Sequence, residues 1–440
     1  MIKNKNYKFT IDKSKIKMLF LQLSIGGAIR SDSMEPLVFS ILKSMTPQFI
    51  EVDFKDECIG DSYDIKNYDW IIMTATSFTI RRAYKVAKQA KKYGVKTAIG
   101  GFHVSAMPTE AMEYTDVVFV GDAEDTWPEF LKDLESGVHQ QSYTSEFGEF
   151  TGITYDTSIF KDKKYPMLKS VQVSRGCKYN CEFCSIGAMY RGYRYRPVDE
   201  IIEEIKTRDL KLIFFADDNL YSSRDEFLKL IKTLAPLKVK WAAQVSIDIA
   251  DDDEVMSLLA DSGCIVLLIG FESLRQANLK KMRKGANLES SYDNKISKIY
   301  SYGIAIYATF VIGYDHDDMQ SIHEIEEFCK RHSFFLANFN PIMAMPGTPL
   351  YERLENEGRL IKPKWWLDSE YRYGQSMVRL KNMNEDELEK GAYYLRSKFY
   401  SLSSILRRLR LKANRENTLT FLLTNLVSRK EIHRKQGTRL

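Results

Sequence analysis

Short apolar runs alternate with amphipathic stretches along the first third of the chain. Runs at 17–23, 49–54, 70–74, 96–99 and 116–120 are brief and rich in Ile, Val, Leu, Met and Phe, which predicts buried strands. Apolar positions recur at helical spacing over 36–45, 80–93 and 126–134. Strands that alternate with helices predict a parallel sheet covered on both faces. Five of them suit a flavodoxin-like doubly wound domain over 15–138, behind an N-terminal tail at 1–14, with its ligand edge at the strands' carboxyl ends. Residues 139–165 are polar and weakly periodic and read as a linker. Alternation restarts after it, with strands expected at 171–174, 212–215, 241–245, 265–269, 305–312 and 336–339. Helices are expected at 198–208, 224–234, 253–259 and 317–331. Six βα units over 166–351 predict a (βα)6 partial TIM barrel, with function at the carboxyl ends of its strands. Residues 352–440 read as a helical C-terminal region.

Composition leaves this α/β picture intact. With 440 residues, 44 % hydrophobic and 28 % charged, the chain holds enough apolar material for two cores. A net charge of +5 from 64 basic and 59 acidic residues is too mild to imply nucleic acid, and none is expected as a partner. The Lys-rich start lacks the apolar segment of a signal peptide, and no run approaches the roughly 18 apolar residues of a membrane span. A cytoplasmic location is expected. In a reducing compartment cysteines favour metal over disulfides. Three of the six cysteines fall within eight residues.

Those three form the core motif, Ser174-Arg175-Gly176-Cys177-Lys178-Tyr179-Asn180-Cys181-Glu182-Phe183-Cys184. Three close thiolates can hold three irons of a cubane and leave the fourth iron open to an external chelate. Structural zinc needs a fourth ligand, whereas Cys58, Cys264 and Cys329 are isolated in sequence.

CxxxCxxC after the first strand of a (βα)6 partial barrel resembles the radical S-adenosylmethionine (SAM) superfamily. The resemblance implies a [4Fe–4S] cluster on Cys177, Cys181 and Cys184. Its open iron would chelate SAM, whose reductive cleavage gives a 5′-deoxyadenosyl radical. It further implies an external electron donor such as flavodoxin or ferredoxin. Phe183 matches the aromatic residue usual beside the third cysteine. Asp217 and Asp218 occupy the place of the motif that holds the SAM amine; an Asx turn capping the next helix is the alternative. Gln244 and Ser246 end the third strand and Glu272 the fourth, where they would face the cofactor's ribose and carboxylate. Ile312 ends the fifth strand, where the resemblance places the adenine. The run Pro346-Gly347-Thr348-Pro349-Leu350-Tyr351 also occurs in the resembling group, although Pro and Gly alone would make a rigid turn.

The first domain resembles the cobalamin-binding domain that often precedes this barrel. The matching pieces are Thr76 and Ser77 after the third strand, Gly100, Gly101 and His103 after the fourth, and Gly121 and Glu124 after the fifth. Small residues there would let backbone approach a flat ligand. One departure stands out. The loop after the first strand, 24–33, lacks the DxHxxG histidine that ligates cobalt, and no histidine precedes His103. Either cobalamin binds with no histidine beneath the metal, or the domain keeps the fold with a changed ligand. His103 is expected to contact a ligand edge or to cap the helix over 104–112.

The tail carries Arg407, Arg408, Arg410, Lys412 and Arg415, then Phe421-Leu422-Leu423 followed by Arg429, Lys430, Arg434 and Lys435. Basic residues favour a helix carboxyl end; a basic amphipathic helix also suits peripheral contact with an anionic membrane. Trp365, Trp366, Tyr371 and Tyr373 either wall the substrate site or pack the tail onto the barrel. The leading expectation is cobalamin-dependent methylation of an unactivated carbon in a small-molecule or lipid-like substrate. A cobalamin-independent rearrangement, cyclisation or oxidation is the alternative, and a zinc-stabilised scaffold is the non-enzyme alternative.

Overall fold

The computed structural model describes residues 6–8, 16–30, 33–190, 192–288 and 292–434. Lys435, Ser31, Asp32 and most of the 1–14 tail lie outside the described residues. The chain forms two compact units. One runs up to Ser170 and includes Ala188–Arg191; the other comprises Val171–Gly187 and everything from Gly192 onward.

The first unit holds strands β1 (Ile16–Gln22), β2 (Ile50–Asp56), β3 (Trp70–Thr74), β4 (Lys96–Gly100), β5 (Val117–Val120) and β6 (Ser142–Thr144), in the order β2-β1-β3-β4-β5-β6. Every pairing is parallel. Central strands of such a sheet are covered on both faces, which is why Met18 to Leu21 form an unbroken apolar run and are all buried. Helices α1 (Leu37–Met45), α2 (Ile80–Lys92), α3 (Phe102–Ala106), α4 (Pro108–Met112) and α5 (Ala123–Glu135) cover it. Helix α2 buries Ala83, Tyr84, Val86, Ala87 and Ala90 and turns its lysines outward.

The stretch expected to be a linker is structured. Residues 142–144 form the sixth strand, and 138–140 pair antiparallel with 6–8. Three-residue edge strands need no long apolar run; Tyr143, packed against Phe119 and Phe130, carries the burial.

The second sheet holds β7 (Lys169–Val171), β8 (Leu212–Phe215), β9 (Lys240–Val245), β10 (Cys264–Glu272), β11 (Ala305–Ile312) and β12 (Leu336–Pro341), in sequential order. Strands β8 to β12 pair in parallel. Helices α6 (Val198–Thr207), α7 (Arg224–Leu234), α8 (Asp253–Asp261), α9 (Gln276–Lys281), α10 (Tyr292–Ser301) and α11 (Met319–His332) connect them, and α12 (Pro349–Asn356) follows the last. The first strand ends three residues earlier than the apolar run suggested. Ser174 and Arg175 instead pair antiparallel with Arg194 and Tyr195. This pairing explains Gly176: its φ is +89°, and a Cβ there would stand 2.1 Å from the Gly192 carbonyl oxygen.

Helices α13 (Glu385–Phe399), α14 (Leu402–Arg408) and α15 (Thr418–Arg434) close the chain. Arg408, expected on a basic surface, is wholly buried. Its guanidinium donates to the carbonyls of Phe334, Phe335 and Phe399 and to Asn425, and lies 3.8 Å from the Phe399 ring centre. Burial draws its pKa down to about 10. Trp365 and Trp366 are buried too, and the Trp365 indole donates to the Ala344 carbonyl, so they pack the tail rather than line an open wall. Among the described residues no helix is long and apolar enough to cross a membrane.

Candidate functional site

The cysteine loop is tied to the segments that follow β8, β9 and β11, to the C-terminal end of α9 and to α12. At β8, the buried Asp217 carboxylate accepts N–H groups from Val173 and Ser174 and the Ser174 hydroxyl. Asp218 accepts the Gly176 N–H at 3.0 Å. Burial pushes Asp217 up to about 7 and Asp218 up to about 6, against the pull of these donors. Asp217 is thus spent on the base of the loop, and of the pair Asp218 carries the fewer bonds to the chain. At β9, Asp248 accepts from the Tyr179 hydroxyl at 2.7 Å and the Lys178 ammonium at 2.8 Å. At the C-terminal end of α9, the Glu182 N–H donates to the Met282 carbonyl at 3.1 Å. The Cys181 thiol stands 4.0 Å from the Arg283 carbonyl. At β11 and α12, the Glu182 carboxylate receives the Tyr314 hydroxyl and the Arg353 guanidinium, while its carbonyl accepts the Leu350 N–H at 2.8 Å.

This last tie gives the Pro346–Tyr351 run its work: Thr348 caps α12, and α12 presents Leu350 and Arg353 to the loop. Arg353 also pairs with Asp315, whose buried carboxylate takes Lys281, Arg359 and Lys381 as further partners. Neither Glu182 nor Arg353 was singled out from sequence, because their partners are remote along the chain. An acidic residue inside the cysteine motif was the one available signal.

The remaining expected residues divide. Ser246 bonds Asn219 in both directions, and the Asn219 amide also reaches the Cys177 sulfur at 3.6 Å. Asn219 is therefore a neighbour of the thiols that the sequence reading passed over. Gln244 donates to the Asp218 carbonyl at 2.9 Å. Glu272 adopts a φ of +62°, unusual for a residue with a side chain, and pairs with Lys284 at 3.0 Å. Burial lowers the pKa of that lysine, but Glu272 and the Cys181 and Cys184 thiols raise it overall. Phe183 packs against the core, and Ile312 is wholly buried within β11.

Cys181 is buried, and Cys177 and Cys184 are half-buried. Burial pushes the Cys184 thiol up to about 12 and raises Cys181, so loading metal releases protons. Among the described residues no three His, Cys, Asp or Glu side chains converge on a single-ion position. A cubane takes one thiolate per iron, so its ligands stand further apart than those of one ion, and three thiols on one loop fit that donor set.

In the first unit, Ser77, His103 and Glu110 meet in a buried relay. Ser77 Oγ lies 2.9 Å from His103 Nδ1, and His103 Nε2 lies 3.3 Å from Glu110 Oε1, which also accepts the Tyr84 hydroxyl at 3.2 Å. Both ring nitrogens are engaged, so His103 presents neither to a metal. It does not cap a helix with its side chain either; Gly101 stands at the N-cap of α3. The glycines serve the chain itself. A Cβ on Gly101 would stand 2.7 Å from the Ala75 carbonyl, and one on Gly121 would stand 2.9 Å from Phe147, so protein rather than an approaching ligand occupies that space. Thr76 is exposed and Glu124 lies in the first turn of α5, both at the carboxyl edge of the sheet. A hydroxyl-bearing edge with no available histidine fits cobalamin held without a protein ligand beneath cobalt.

Family models agree with this division. The radical SAM superfamily model matches residues 171–329, and the B12 binding domain model matches residues 40–131. A bacteriochlorophyllide d C-12(1)-methyltransferase of Chlorobaculum tepidum is 28 % identical over 91 % of this chain and 91 % of its own. A bacteriochlorophyllide d C-8(2)-methyltransferase of the same organism is 26 % identical over 75 % of this chain and 78 % of its own. Among solved structures, the radical SAM methyltransferase TsrM from Kitasatospora setae, with cobalamin and a [4Fe–4S] cluster bound, superimposes with a TM-score of 0.62. It covers 77 % of this chain and 78 % of its own at 13 % identity, a likeness of fold.

Proposed function

This chain is a radical SAM enzyme with an N-terminal B12-binding domain, and from that premise we propose that it methylates an unactivated carbon of a lipid-like small molecule. The observation that carries the proposal is the pairing of the two domains in one chain, which the bacteriochlorophyllide methyltransferases match over most of their length. Its cofactors are a [4Fe–4S] cluster, SAM and cobalamin. When bound, the cluster and SAM supply a hydrogen-abstracting radical and cobalamin supplies the methyl group.

The chain's residues do the holding. Cys177, Cys181 and Cys184 ligate the cluster, and Asn219 steadies the Cys177 sulfur by hydrogen bonding. Asp218 is placed for the SAM ammonium, and Lys284, held by Glu272, supplies positive charge beside the thiols. In the first domain Ser77 and Thr76 offer hydroxyls to cobalamin, with Ser77 oriented by His103 and Glu110. An external flavodoxin or ferredoxin delivers the electron, and a lipid-like substrate is met at a membrane surface. The zinc-scaffold alternative is overturned by the superfamily match, which makes the chain an enzyme.

The reaction is tested by incubating the anaerobically reconstituted, cobalamin-loaded protein with SAM and a low-potential reductant. Release of both 5′-deoxyadenosine and S-adenosylhomocysteine is expected. 5′-Deoxyadenosine alone would instead favour the cobalamin-independent alternative, and neither product would end the proposal.

A further expectation concerns His103. Replacing it with alanine strips partners from buried Ser77 and Glu110, which costs about 1–3 kcal/mol in denaturant unfolding of the protein. The visible spectrum of bound cobalamin should not change, since neither ring nitrogen faces a metal. A shifted spectrum in His103→Ala would identify His103 as a cobalt ligand and contradict this geometry.

A further inference from the structure

Helix α15 is apolar on both sides. Its inner side is seated on the protein through Phe421, Asn425 and Ile432: Phe421 packs edge-on to Phe335, and Asn425 bonds Arg408 of α14 and the Phe335 carbonyl. Its opposite side carries Leu419, Leu423, Leu426 and Val427, which remain 72, 56, 45 and 43 % exposed. At 100° per residue these four positions cluster around the direction opposite Phe421 and Asn425. Helix α14, joined to α15 through Arg408, adds Leu402 and Leu406, 53 and 62 % exposed. A water-facing helix ordinarily shows a polar outer face, and a helix that is apolar all round is one that something covers. The concentration is local: of fifteen exposed large apolar side chains among the described residues, seven fall between 393 and 427.

The charge around these leucines indicates what covers them. Residues 402–434 contain eight Lys or Arg and two Glu, in a chain whose overall balance is 64 to 59. Arg408 is buried and contributes nothing outward, but Arg407, Arg410, Lys412, Arg415 and Lys430 are exposed around the apolar patch. A second copy of the same surface would set like charges against each other around a shared apolar centre. An anionic bilayer satisfies both features at once, with leucines at the depth of the headgroup boundary and arginines on lipid phosphates. We propose that α14 and α15 form a docking surface for an anionic lipid bilayer. The proposal does not rest on methyl transfer, and its test reads binding rather than turnover.

The test is co-sedimentation of the full-length, cofactor-loaded protein with vesicles of phosphatidylcholine alone or mixed with phosphatidylglycerol. Binding to the anionic vesicles is expected, weakened by salt, with little binding to phosphatidylcholine alone. The double variant Leu419→Ser/Leu423→Ser should bind at least about tenfold more weakly, since each buried leucine side chain is worth more than 1 kcal/mol. Arg410→Ser and Arg415→Ser should each cost about fivefold, from roughly 1 kcal/mol per basic residue at an anionic surface. Both leucines are exposed, so cofactor content and circular dichroism should match the parent. The arginine variants give an independent reading should the leucine variant misfold. Absence of binding, equal binding to both vesicle types, or a solution dimer that the leucine variant abolishes would each overturn the proposal; the last would assign the face to a second copy.

Discussion

An alanine at position 181 leaves the protein colourless after anaerobic reconstitution. Cys181 is the buried middle cysteine of the three proposed as cluster ligands, and a cubane that leaves one iron open for SAM has no ligand to spare. No other cysteine of the second unit can replace it. Cys264 lies at the opposite end of β10 from Glu272, and Cys329 is buried in α11. Iron content should fall to background and SAM cleavage should be abolished. Asn219→Ala provides the graded comparison. It removes a donor to the Cys177 sulfur without removing a ligand, and effects of such supporting residues on metal affinity are about 10–100-fold. Iron retained at the parent level in Cys181→Ala would mean that the cluster sits elsewhere.

The second large effect is on stability. Asp315 is a buried anion shared by Lys281 at 2.6 Å, Arg359 at 2.8 Å, Arg353 at 2.9 Å and Lys381 at 3.4 Å. Asp315→Ala leaves these cations facing one another with Glu182 and Glu357 as their remaining nearby anions. Removing one member of a buried ion pair costs 3–5 kcal/mol, and because the cations keep some access to water we expect about 3 kcal/mol. Burial works against ionisation of Asp315, but Lys281, Arg359 and Arg353 hold its carboxyl well below the usual range. The folded pKa is thus depressed relative to the unfolded one. The stabilisation is complete above the unfolded value, about 4, and is lost progressively as pH falls below it. The stability gap between parent and Asp315→Ala should accordingly be constant near neutrality and shrink in acid. Because Arg353 connects Asp315 to Glu182, the variant should also lose its cluster faster under oxygen. A gap that does not change with pH would show that Asp315 contributes by packing instead of charge.

The sequence carried more of the scaffold than of the wiring. Strand runs such as 70–74 and 305–312 were legible because both faces of a parallel sheet demand apolar residues. The cysteine spacing was legible because three ligands within one loop constrain the chain locally. What escaped depended on distance or on backbone. Glu182 meets Tyr314 and Arg353 across 132 and 171 residues, a separation that no local pattern encodes. The edge strand Ser142–Thr144 is stabilised by pairing with β5, which leaves little trace in three polar-looking residues. The glycines after β4 and β5 were read as room for a ligand, whereas at Gly101 and Gly121 the space is already filled by neighbouring protein atoms. Arg408 shared a basic run with exposed residues and proved to be the buried staple of the C-terminal helices. Helical phase, rather than composition, separates it from Arg407 and Arg410.

Cys177, Cys181 and Cys184 are proposed to hold a cluster with one iron reserved for SAM. Electron paramagnetic resonance of the dithionite-reduced, reconstituted protein, recorded before and after SAM is added, tests it most directly. A reduced [4Fe–4S] signal whose g-values shift when SAM binds the open iron is expected. A cluster signal indifferent to SAM, or no cluster signal from protein with the three cysteines intact, would contradict it.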